Sequence, residues 1–193
     1  MSNFVENVKT GIDVNLNTEP GIKNIVLAGG CFWGTQEFLN RLPGVKQTFT
    51  AYANGDGLDP SYQLVCTGDT DHVEAVYVAY DPAVIDLEHL LFYFFKSFDP
   101  RQKDRQANDI GRQYRNGIYY LDDADVPEIE AAVAREQSFY EEELVTEILP
   151  LDNISIAEEV HQDYLVKNPL GYCHVNFNNL PAANAPMVGS EFR

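Results

Sequence analysis

Cysteine is scarce in this chain: its 193 residues hold three, Cys31, Cys66 and Cys173. An odd number at wide spacing, with no Cys-x-x-Cys pair, argues against a disulfide scaffold, a zinc knuckle and a thioredoxin-type motif. Basic residues are few as well, 13 Lys plus Arg against 30 Asp plus Glu, for a formal net charge of −17. Such a surface is repelled by phosphate backbones and anionic lipid, which argues against nucleic-acid or membrane binding. No apolar run approaches the ~18 residues that span a bilayer. Residues 1–19 lack the basic start and apolar stretch of a secretory signal. A soluble, cytoplasmic protein acting as a monomer is expected.

What the chain does have is apolar material for one substantial core. Hydrophobic residues make up 45%, with 11 Phe and 11 Tyr among them, over a length suited to a single domain. The acids gather at 122–130, 141–147 and 158–163, where solvated helix faces account for them.

The most informative stretch is Gly29-Gly30-Cys31-Phe32-Trp33-Gly34. It follows the apolar run 24–28 and opens an amphipathic segment, 35–42, that stops at Pro43-Gly44. The local order reads strand, glycine turn, cysteine, helix. A lone cysteine is most often an inert core filler. This one stands at the mouth of a helix, where unsatisfied N–H groups and the positive dipole end favour thiolate. Two large aromatic side chains follow it. Cys31 is a candidate nucleophile with an apolar wall beside it.

Residues 1–23 read as a polar N-terminal arm. Val45 to Ala53 reads as a strand ended by Asn54-Gly55-Asp56-Gly57, and Ser61 to Val65 as a short turn carrying Tyr62 and Cys66. The clearest strand is His72 to Tyr80. Val73, Ala75, Tyr77 and Ala79 share one face, Glu74, Val76, Val78 and Tyr80 the other, so cover is expected on both sides. Glu74 then sits either at a solvated strand end or partly desolvated, and desolvation keeps a carboxyl protonated. Asp86 caps a helix with the stripe Leu87, Leu90, Leu91, Phe94, Phe95 and Phe98. A polar loop, 101–111, leads to a strand over 113–121, whose start carries Tyr114. A long acidic helix is expected over 122–144 with Val126, Ile129, Val133 and Leu144 inward, then a strand over 145–149 and a short helix over 157–165. From 168 to 193 the composition turns to Asn, Pro, Ala and Gly, a tail mobile enough for Cys173 to travel. The alternation indicates an α/β (α+β) fold, one two-layer sandwich with a mixed sheet and packed helices. Its central domain spans 24–167.

Gly30-Cys31-Phe32-Trp33-Gly34 resembles the signature of the A-type methionine sulfoxide reductases, the peptide-methionine (S)-S-oxide reductases. The likeness continues through Leu42-Pro43-Gly44-Val45, the Tyr62 to Cys66 turn, Gly68-Asp69-Thr70 with His72, Glu74-Ala75-Val76, and Asp99-Pro100. It resumes at Arg105-Gln106, Asn108-Asp109, Gln113-Tyr114-Arg115, His161-Gln162 with Tyr164-Leu165, and Asn168-Pro169 with Gly171-Tyr172-Cys173. The resemblance implies a thiol redox cycle with no metal or organic cofactor. In it Cys31 attacks the sulfur of the S epimer of methionine sulfoxide, in oxidised proteins or free, and is left as a sulfenic acid. A second cysteine condenses with it, and thioredoxin, or dithiothreitol in vitro, reduces the disulfide.

By position the resemblance makes Phe32 and Trp33 the pocket for the substrate methyl group. It makes protonated Glu74 the donor to the sulfoxide oxygen, Tyr62 and Tyr114 the assisting hydroxyls, and Asp109 their support from the polar loop. No cysteine follows Cys173, so the implied disulfide is Cys31–Cys173, and Cys66 is expected to be a structural, packed thiol. Asp71, Ala107 and Ala51 stand where the family commonly has glycine. Asp71 would raise the Glu74 pKa further if the two lie close.

Two other readings are open. Cys31 with His161 or His174 as base would make a thiol hydrolase, although the cysteine-protease signature Cys-Gly-(Ser/Ala)-Cys-(Trp/Tyr) is absent. Cys66, Asp69 and His72 would make a non-enzymatic metal- or partner-binding domain, though one Cys and one His are a poor zinc set.

Overall fold

One two-residue connection sets the shape of the sheet. A computed structural model of the chain describes residues 7–189; positions 1–6 of the expected arm and 190–193 of the expected tail lie outside the described residues. In order the elements are β1 (Lys9–Thr10), β2 (Lys23–Gly29), α1 (Phe32–Asn40), β3 (Val45–Ala53), α2 (Tyr62–Thr67), β4 (Val73–Tyr80) and α3 (Leu87–Phe95). They continue with β5 (Arg105–Gln106), β6 (Asp109–Ile110), β7 (Asn116–Tyr120), α4 (Val126–Gln137), β8 (Glu147–Pro150), β9 (Asn153–Ile156) and α5 (Tyr164–Lys167). The seven-stranded sheet runs β1-β9-β3-β4-β2-β7-β8. Its pairs β1–β9 and β7–β8 are parallel and the rest antiparallel, the mixed sheet expected. β8 and β9 belong to opposite sides of that order, yet only Leu151 and Asp152 separate them. The sheet therefore curls until its sides approach, and Asn54 joins them. Its Nδ2 donates to the Pro150 carbonyl at 2.9 Å, and its Oδ1 accepts from the Asp152 N–H at 2.8 Å.

The curl makes two unlike faces. Inside lie Val26, Ala28, Ala51, Ala53, Ala75, Tyr77 and Ala79, mostly small, as a tapering interior requires. The arm closes this core with Leu16, and its Asn17 N–H donates to the Tyr77 hydroxyl at 2.6 Å. Outside, Ile25, Leu27, Val76, Val78 and Tyr80 pack under α1 and α3. The expected stripe of α3 is buried there from Leu87 to Phe95, with Asp86 capping the helix by accepting the His89 N–H at 2.9 Å. Every residue of β4 is buried, as its two apolar faces demand.

Several elements differ from the sequence expectation. The acidic helix ends at Gln137, not 144. Glutamates 141–143 would face the negative end of the dipole, and Gln137 turns the chain instead, accepting the Leu144 N–H at 3.0 Å and donating to the Glu142 carbonyl at 2.9 Å. Leu144 is thus half-buried in a loop. The stretch 157–165 is two pieces, a 3₁₀ turn over Glu159–His161 and α5, split by Asp163 at φ +50°. The strand expected over 113–121 starts at Asn116, after a 3₁₀ turn over Arg112–Tyr114. β9 has no counterpart in the sequence reading; four residues are too few for a period to stand out. The tail read as mobile is laid against the core through residue 189. Val175 and Met187 are buried, and the Met187 carbonyl accepts the Asp86 N–H at 3.1 Å.

Candidate active site

β2 runs into the Gly29-Gly30 turn, and Gly30 has φ +87°. A Cβ there would stand 2.4 Å from Gln106 Cγ, so both backbone and space call for glycine. Cys31 follows as the N-cap of α1. On the neighbouring strand Val76 pairs with Leu27, so two residues further along each strand Glu74 comes level with Gly29, beneath the turn. The Phe32 N–H donates to Glu74 Oε2 at 3.2 Å. Glu74 is 1% exposed. Burial pushes its pKa up to about 8; the Phe32 N–H opposes that shift and the charge of Asp109 adds to it. At pH 7 this carboxyl is neutral.

Cys31 is buried too, and burial raises its thiol pKa, with the Glu74 charge adding to the effect. The helix-mouth effect expected to favour thiolate is present as the lowering influence of the Trp33 N–H, although no capping bond to the sulfur forms, and burial outweighs it. Thiol and acid rest side by side, both uncharged.

The other candidates gather around this pair. Tyr62, which opens α2, and Tyr114 lie close enough for their hydroxyls to act on one another. Burial raises both pKa values and the Glu74 charge reaches both, so each stays a protonated donor. Asp109, on β6, acts on Cys31, Glu74 and the Tyr172 hydroxyl. Cys173 Sγ lies 2.8 Å from where a Cβ on Gly34 would stand, so it packs one turn into α1 from Cys31. Both thiols are free. Cys66 corrects the sequence expectation: it is exposed, because α2 turns that face outward, beside the Tyr62 hydroxyl.

The aromatic wall has its own support. Phe32 is fully buried between Tyr52 and His161, at ring distances of 5.9 and 5.3 Å. Trp33 stacks on Tyr164 at 3.8 Å, and its Nε1–H donates to His161 Nδ1 at 3.2 Å. Gln162 anchors this segment to β3 much as a strand would. Its Oε1 accepts the Thr50 N–H and its Nε2 donates to the Thr50 and Ala157 carbonyls, each at 2.9 Å. Sequence reasoning gave no supporting role to Glu158, Tyr172 or the His161 ring. Their one signal was membership of the His161-Gln162 and Gly171-Tyr172-Cys173 segments, and Glu158 lay hidden in an acidic run.

Asp71 and Ala107 sit at φ +53° and +50°, left-handed backbone that glycine adopts more cheaply. Asp71 pairs with Arg112 at 2.6 Å; the carboxylate acting on Glu74 is Asp109. Ala51 lies fully buried inside the curl. The histidines of the hydrolase reading are engaged elsewhere, His161 by Trp33 and His174 Nε2 by the Gly29 carbonyl at 3.1 Å. Among the described residues no His, Cys, Asp and Glu group converges as a metal set, so Cys66, Asp69 and His72 do not. Nor is any helix among them long and apolar enough to cross a membrane.

A buried thiol beside a neutral carboxylic acid, with hydroxyl donors and a second thiol in the same place, marks a cysteine-dependent oxidoreductase. The family model described as peptide methionine sulfoxide reductase matches residues 23–187. The peptide methionine sulfoxide reductase MsrA of Clostridium botulinum (strain Okra / Type B1) is 48% identical over 157 residues, 81% of this chain and 100% of that protein. The crystal structure of Mxr1 from Saccharomyces cerevisiae in reduced form superposes with a TM-score of 0.77 at 38% identity, covering 84% of this chain and 94% of that one. Mxr1 in complex with Trx2 gives a TM-score of 0.57 at 27% identity, over 80% and 91% of the two chains. This chain belongs to the peptide methionine sulfoxide reductase family, in its MsrA branch, and is an enzyme that reduces methionine sulfoxide.

Proposed function

We propose that the enzyme reduces the S epimer of methionine sulfoxide, in oxidised proteins and free, through a two-cysteine cycle recycled by thioredoxin, as a monomer in the cytoplasm. The observation that carries the chemistry is the meeting of the neutral Glu74 carboxyl with the Cys31 turn. A sulfoxide oxygen gains basicity as its sulfur is attacked, and a neutral acid is the right donor to it. The Cys31 sulfur attacks the substrate sulfur, forming an S–S bond, while Glu74 gives its proton to the oxygen and recovers one from the thiol. The S–S and S–O bonds then break as the hydroxyl passes to Cys31 and the electron pair stays on the methionine sulfur. The balance is thiol plus sulfoxide to Cys31 sulfenic acid plus methionine. Tyr62 and Tyr114 donate to the same oxygen, Phe32 and Trp33 receive the methyl group, and Asp109 steadies the site from the loop.

Cys173 then displaces the sulfenic hydroxyl as water, giving the Cys31–Cys173 disulfide, and a thioredoxin dithiol returns two electrons and two protons. The Mxr1–Trx2 complex supports that partner, and no metal or organic cofactor is called on. In this reading 24–167 forms the catalytic domain and the segment from 168 brings the resolving thiol. Turnover of the two epimers, separately, with dithiothreitol or thioredoxin tests it. Reduction of the S epimer alone is expected; loss of the R epimer at a comparable rate would overturn the assignment.

A further inference from the structure

Glu158 belongs to an acidic run and its side chain is 42% exposed, yet both its oxygens are used inward. Oε2 accepts the Tyr52 hydroxyl at 2.6 Å, and Oε1 accepts the Tyr62 N–H at 2.8 Å. Facing Oε2 at 3.8 Å is His161 Nε2. The other ring nitrogen of His161, Nδ1, accepts the Trp33 indole N–H. A neutral imidazole carries one N–H, so an accepting Nδ1 leaves the proton on Nε2, the nitrogen turned to the carboxylate. His161 is 7% exposed and burial lowers its pKa, which keeps the ring in that neutral form.

We propose that Glu158 is a positioning residue: its carboxylate selects the Nε2–H tautomer of His161, and so holds the Trp33 indole in place, while its second oxygen fixes the Tyr62 backbone. One side chain thereby sets the spacing between the wall that receives the methyl group and a hydroxyl that meets the oxygen. The consequence for substrate rests on the sulfoxide reading above; the consequence for Trp33 does not.

Trp33 is the sole tryptophan of the chain, so intrinsic emission reads this one indole without any turnover. In Glu158→Gln an NH₂ donor replaces one acceptor. With no substrate present, Trp33 emission is expected to shift to the red and to become more open to acrylamide quenching. The half-saturating methionine sulfoxide concentration is expected to rise roughly ten-fold, with a smaller fall in the saturated single-turnover rate. In a Trp33→Phe background, which has no indole N–H, the same substitution should raise half-saturation by clearly less, with only the Tyr62 contact left to lose. Unaltered emission and quenching in folded Glu158→Gln would overturn the proposal, as would an undiminished effect in the Trp33→Phe background. Two-bond ¹H–¹⁵N correlation of the wild-type histidine rings is a test free of any variant: His161 must carry its proton on Nε2, and a proton on Nδ1 contradicts the proposal.

Discussion

The two faces of β4 alternate residue by residue, and they treat a buried polar group in opposite ways. Inside the curl, the Tyr77 hydroxyl donates to Asn24 Oδ1 at 2.5 Å and accepts the Asn17 N–H at 2.6 Å. It is satisfied and structural. On the outer face, three residues away, the Glu74 carboxyl meets one backbone N–H, while Asp109 Oδ2 near it is buried with no partner among the described residues. A polar group with both roles filled strengthens a core. A carboxyl without them stays protonated and holds that proton ready for a substrate. The same strand therefore serves stability on one side and chemistry on the other.

The largest way to break this contrast is Glu74→Ala. Loss of a general acid should slow single-turnover methionine formation about 10²–10⁴-fold, read by rapid quench; a near-normal rate would remove the acid role. Next comes stability. The folded carboxyl titrates near 8 and the unfolded one near 4.5, so the folded state binds more protons between those values. The cost of burial is absent below about 4.5 and grows as pH rises to about 8. Glu74→Gln, which cannot ionise, should therefore gain roughly 3 kcal/mol at pH 7 and lose the pH slope, as urea unfolding would read. On the inner face the sign reverses. Tyr77→Phe should lose about 1 kcal/mol in the same unfolding experiment and keep the single-turnover rate.

The difference between the faces was partly legible in the sequence. Period two along 73–80 and the leucine and phenylalanine spacing of α3 are local signals, and both elements formed where they pointed. Cys31 at a glycine turn was also local. The curl was not legible, because it comes from a strand order that sets β8 and β9 on opposite sides, and the Asn54 bonds that join those sides reach almost a hundred residues away. The protonation of Cys31 follows from burial against Glu74, which a helix-mouth argument does not contain. The exposure of Cys66 depends on which face α2 turns outward. Glu158 shows the limit most plainly: in the sequence it is one more acid in a charged run, and only the fold brings Tyr52, Tyr62 and His161 to it.

The central claim, that the acid at the site is neutral at rest and must be so to react, is tested most directly by pH. Single-turnover methionine formation by the wild-type enzyme, without reductant, should be highest below about 8 and fall above it as Glu74 ionises. Glu74→Gln should lack that fall. A wild-type rate that climbs through the same interval, as for a reaction limited only by thiolate, would contradict the account.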